Sequence, residues 1–136
     1  TGGTVGNGII EGKWDTTTAT DETFLFWQHV RYAGLAPGAT DTTAAEYLPT
    51  NSVGGALGIT NSTAADVPIT GMRGSYIVCS DAIAGKFAKQ LDTTLDDGNT
   101  ATGSVQVTDV GTSSGGTSIA TATIVDDTTY LVCMSL

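Results

Sequence analysis

Apolar residues along this chain follow two different periods. In "ETFLFWQHVRYAGL" (22–35), Phe24, Trp27, Val30 or Arg31, and Ala33 or Leu35 recur every three to four positions. That is the spacing of one helix face, and Phe26 and Tyr32 widen it. Thr20 or Asp21 is placed to cap this helix, Asp21 and Glu22 suit its positive N-terminal end, and Gly34 can take the left-handed conformation that stops it. So much aromatic surface needs a large partner to cover it. The same period returns further on, where Ile83, Phe87, Leu91 and Leu95 fall at i, i+4, i+8 and i+12. Ser80 or Asp81 would cap this second helix and "DDGN" would end it. The spacing predicts a helix over 80–97 that packs on a sheet through one narrow stripe, with Lys86, Lys89 and Gln90 on the other side.

Elsewhere the period is two. In "GSVQVTDV" (103–110) Val105 and Val107 alternate with Gln106 and Thr108, and Ile119 starts a similar alternation in "TSIATATIVD" (117–126). With "TTYLVCMSL" (128–136), these segments predict antiparallel strands with one wet face, joined by "GTSSGG" and "DDT" turns. "GGALGIT" (54–60) and "GSYIVCS" (74–80) are two earlier strand candidates, linked by a polar loop holding Pro68 and "TGMRG". Residues 1–8 read as flexible, and 9–14 as a short strand or an ordered approach to the first helix. Residues 36–53 read as a long loop with a helical turn in "DTTAAEYL" before Pro49. The order is helix, loop, two strands, helix, three strands. It predicts one α+β domain over 1–136, with helices against an antiparallel sheet of about four strands.

Composition narrows the function. Only 14% of the 136 residues are charged, and polarity comes mainly from Thr, Ser, Asn and Gly. Such chains are common among secreted and cell-surface bacterial proteins. The net charge is -9, and Lys13, Arg31, Arg73, Lys86 and Lys89 are the only basic residues. That balance argues against nucleic-acid binding and against anionic membrane surfaces. No apolar run reaches the ~18 residues of a membrane span. The start at Thr1, followed by "GGTVGNG", reads as a cut in a flexible segment, with any localisation signal expected upstream.

Few residues offer chemistry. Cys79 and Cys133 each lie in an apolar, strand-like run. In an exported protein they would form one bridge; the alternative is two buried thiols acting as small hydrophobes. His29 is the single histidine and lies mid-helix, with no nucleophile-elbow motif in the chain, so a packed or partly exposed helix histidine is expected. Asp92, Asp96, Asp97 and Asn99 are hard oxygen donors close in sequence beside Gly98. Their spacing departs from the EF-hand pattern, and the expectation is a helix end and polar turn, with a structural calcium as the alternative. Asp near a helix C-terminus opposes the helix dipole and calls for a partner: an amide, a lysine or a metal. The runs "GGTVGNG" and "VGGALG" lack dinucleotide-binding spacing, and Asn61-Ser62-Thr63 marks an exposed loop. No enzyme constellation is left.

The chain resembles the globular heads of type IV pilin-like proteins: pilins, minor pilins and the pseudopilins of type II secretion. "LFWQHVRYAGL" (25–35), "VGGALGI" (53–59), "SYIVCSDAIAGKFAKQLDTTLDDGNTATGSVQV" (75–107) and "YLVCMSL" (130–136) carry the resemblance over about half of the chain. It implies a type IV pilin-like head without its hydrophobic N-terminal stem helix. It also implies a Cys79–Cys133 disulfide that ties the start of the second helix to the last strand. The implied partners are other pilin subunits, met through the missing stem, and the pilus assembly machinery. The implied location is an extracellular filament or the periplasmic face of the inner membrane, and no catalysis is expected. Loops 36–53 and 60–73 would offer contacts to surfaces or neighbouring subunits. The departures are the absent stem and the helix inserted between strands. The second reading is a secreted adhesin or carbohydrate-binding module, in which exposed aromatics such as Tyr47 meet a glycan.

Overall fold

The computed structural model describes residues 3, 4 and 6–136. The flexible start expected for residues 1–8 falls in part on residues 1, 2 and 5, which lie outside the described residues. The elements run α1 (Glu22–Tyr32), β1 (Leu57–Thr60), β2 (Ile77–Ala84), α2 (Gly85–Leu95), β3 (Val105–Asp109), a short 3-10 turn (Thr121–Thr123) and β4 (Thr129–Ser135). The four strands form one antiparallel sheet in the order β1-β2-β4-β3. This is the expected α+β fold with two helices.

Strand pairing divides the core in two. On one face Ile77, Cys79, Leu131 and Cys133 pack with Trp14, Val67, Ile69 and Met72. On the other, Val105, Val107, Tyr130 and Val132 pack with Ala88 of α2 and with Ile124. Both faces are therefore covered, and the expected wet face does not exist. Gln106 and Thr108 are buried, because irregular segments pass close enough to satisfy them. The Thr108 hydroxyl donates to the Thr117 carbonyl at 2.8 Å and the Gln106 side-chain amide to the Gly103 carbonyl at 3.1 Å. One such segment approaches through Gly58, where any Cβ would lie 2.0 Å from the Trp14 carbonyl oxygen.

Other departures have local causes. Residues 117–126 form no strand; they fold as the 3-10 turn and loop that cover α2's side of the sheet. Residues 9–14 are irregular, and "DTTAAEYL" makes turns without a helix. β2 runs past the expected caps Ser80 and Asp81, shifting register between Ser80 and Ile83, with Ala82 at φ 58°. α2 consequently begins at Gly85. Its first amides are met by backbone carbonyls, Gly85 donating to Thr128 at 2.8 Å and Lys86 to Asp126 at 3.2 Å. α1 starts and stops as expected, with Gly34 left-handed at φ 71°, although Asp21 makes no side-chain cap.

Loop 36–48 is held by α1. Arg31 is buried and donates Nη1 to the carbonyls of Ala39 (2.9 Å) and Tyr47 (2.6 Å), and Nε to that of Pro37 (3.2 Å). Tyr47 is 1% exposed, stacks against Phe24 with ring centroids 4.5 Å apart, and donates its hydroxyl to the Phe24 carbonyl at 2.7 Å.

Candidate functional site

The chemistry-bearing residues gather around α2. This helix seats small residues on the sheet: Gly85, Ala88 and Asp92 are its buried positions. Gly85 comes so close to the following loop that a Cβ there would lie 2.2 Å from the Val125 carbonyl oxygen. The small-residue row wins the sheet because it permits this approach, and the apolar stripe is turned outward. Phe87 is 50%, Leu91 39% and Leu95 57% exposed, so these three do not pack on the sheet as expected. Ile83 is not on the helix at all; it belongs to β2 and packs beside the second core cluster.

Turned outward, the stripe lines an open apolar groove with Val53, Ala82 and Ile83. Val53 and Ala82 escaped the sequence reading because neither lies on a periodic face. The register shift in β2 places Ala82 there. Asn51 holds the shift in place, its side-chain amide donating to Ser80 Oγ (2.9 Å) and to the Asp81 carbonyl (2.6 Å). Lys86 covers the Phe87 ring at 5.2 Å, and Lys89 pairs with Asp126.

The last turn of α2 and the loop after it bring three carboxylates together. One oxygen from each of Asp92, Asp96 and Asp97 lies within 4.8 Å of the others. Asp96 Oδ2 accepts the Val105 amide at 2.8 Å, and a Cβ at Gly103 would lie 2.0 Å from that oxygen. Asp97 accepts the Asn99 amide and the Thr102 hydroxyl, each at 2.8 Å. Asp92 is fully buried, and neither of its oxygens makes a well-formed hydrogen bond; the Gly98 amide lies near but misses that geometry. Burial pushes its carboxyl up from the ordinary value, Asp97 and Asp96 push the same way, and the nearby Gly98 amide offsets them only in part. The Asn99 side-chain oxygen accepts the Ala101 amide at 3.3 Å.

The cysteines are bonded to each other, closing 54 residues of separation, and both are buried at paired positions of β2 and β4. Cys79 thus ties strand to strand. It does not pin the start of α2, which begins six positions later. His29 is exposed on α1. Asn61 is buried, donating to the Ile10 carbonyl at 2.8 Å, so the acceptor motif does not mark an exposed asparagine. Tyr47, the aromatic expected to meet a glycan, is inside the fold. Among the described residues no helix is long and apolar enough to cross a membrane.

No protein-family model, curated protein or solved structure matches this chain.

Proposed function

We propose that this domain is the non-catalytic globular head of a bacterial filament subunit of the type IV pilin-like class. A stem helix N-terminal to it would anchor the subunit and polymerise, and the head would be displayed on the filament. The observation that carries the reading is the unpartnered apolar face of α2, Phe87, Leu91 and Leu95 beside Val53. Contiguous apolar surface rimmed by polar residues marks a contact surface. In a subunit that stacks on copies of itself, the occupant is the neighbouring head. The sequence blocks at 75–107 and 130–136, with the disulfide between them, support the same class.

The test uses the subunit with its stem, expressed with its processing peptidase and assembly proteins. The wild-type chain is expected in sheared surface filaments. The double substitution Phe87→Gln with Leu91→Gln is expected to leave the head folded while cutting incorporation at least tenfold. Normal incorporation of the variant would remove α2 from the subunit contact. A wild-type chain that never enters a filament or a periplasmic assembly complex would overturn the reading itself.

A further inference from the structure

We propose that Asp92, Asp96 and Asp97 form a binding site for one calcium ion, which locks the end of α2 to the loop 96–105. The inference is independent of the filament reading and rests on the fate of Asp92. A carboxylate at zero exposure with no well-formed hydrogen bond to either oxygen is an undercompensated polar group, and proteins hold such groups by pairing them or by giving them to a metal. No lysine or arginine takes that role: among the described residues the one salt bridge is Lys89 with Asp126, and the last turn of α2 has no basic residue. Asp96 and Asp97 bring two more carboxylates to the same place.

Geometry and field both suit a cation. Oxygens bound to one calcium at about 2.3–2.6 Å can be at most about 5 Å apart, and these three lie within 4.8 Å. Small side-chain shifts would bring the three oxygens onto one ion. It sits at the C-terminal end of a helix, where the macrodipole attracts positive charge and repels carboxylates. The hydrogen bonds to the Val105 amide, the Asn99 amide and the Thr102 hydroxyl aim Asp96 and Asp97, and each oxygen keeps a lone pair free. All three donors are hard carboxylate oxygens, Asp92 in the last turn of α2 and Asp96 and Asp97 directly after it. That favours calcium over magnesium, which demands tighter octahedral geometry and dehydrates reluctantly.

The experiment is calcium titration of the chelator-treated domain, followed by calorimetry and thermal melting, with magnesium and sodium chloride at matched ionic strength alongside. One calcium per chain is expected, with Kd of about 10⁻⁵ to 10⁻³ M. At a hundredfold excess over Kd the melting temperature should rise by roughly 5–10 °C. Asp92→Asn is expected to stay folded and lose the calcium response. The exposed Asp97→Asn, which leaves the buried position intact, is expected to weaken binding at least tenfold. No heat and no shift with calcium overturns the site. So does an equal shift with magnesium or sodium chloride, which marks general screening of an acidic chain, or a calcium response that survives both substitutions.

Discussion

Single side chains here do their work by reaching backbone. Tyr47 is the clearest case: its hydroxyl donates to the Phe24 carbonyl and accepts the Gln28 amide, in a site that excludes water. Tyr47→Phe removes this buried hydrogen bond, while the Phe24 carbonyl keeps its helical partner, and should cost about 0.5–1.5 kcal/mol, read from denaturant midpoints at pH 8. Burial displaces the Tyr47 phenol upward from 10.0, the other contributions being smaller. The fold therefore holds the neutral form, and above pH ~10 the unfolded chain ionises first. Stability conferred at this site is complete below pH 10 and declines as pH rises beyond it. Midpoints measured at pH 8 and pH 11 should fall further for the native chain than for Tyr47→Phe. Little of this was legible in sequence. Tyr47 lies in a Thr- and Ala-rich run without period, and its partner Arg31 is recognisable only once the loop is folded back on α1.

At the scale of the element, α2 shows which of two patterns on one helix decides its orientation. The sequence presents a long apolar stripe and, less visibly, a row of Gly85, Ala88 and Asp92 at helical spacing. Packing goes to the row whose small size allows close approach, and the large residues are left for another surface. Gly85→Ala should cost about 1–3 kcal/mol, because the new methyl would meet the Val125 backbone rather than a side chain that can move aside. A thermal melt of the disulfide-intact domain checks it, and unchanged stability would mean that α2 can lift from the loop. By contrast, Phe87→Gln should change stability by no more than about 0.5 kcal/mol, since half of that ring already faces solvent. The helix itself and the strands over 54–60, 74–80, 103–110 and 128–136 were legible from period and turn residues. What was not legible is orientation, because a stripe fixes a face without naming what it meets. The caps and the strand expected at 117–126 failed for a related reason: backbone carbonyls from the 124–128 region supply the N-terminal partners of α2, a tertiary contact with no local signature.

Across the molecule, one covalent link joins the two strands that define the sheet's interior. Reducing Cys79–Cys133 releases a loop that, in the chain-entropy model, should lower stability by about 4 kcal/mol. Urea midpoints with and without reductant measure it directly, and a difference below about 1 kcal/mol would assign the cysteines to packing alone. The pairing of β4 between β2 and β3 has a further result, in the order in which the chain is made. Synthesis delivers β1, β2 and β3 first, and β3 has no neighbouring strand until β4 arrives. Through that interval Cys79 carries a lone thiol, open to capture by other chains. The strand delivered last supplies at once the centre of the sheet, half of each core cluster's strand contacts and the second sulfur. A chain halted before residue 129 would thus carry Cys79 without its partner and a sheet without its central strand, a state open to proteolysis in a way the finished fold is not.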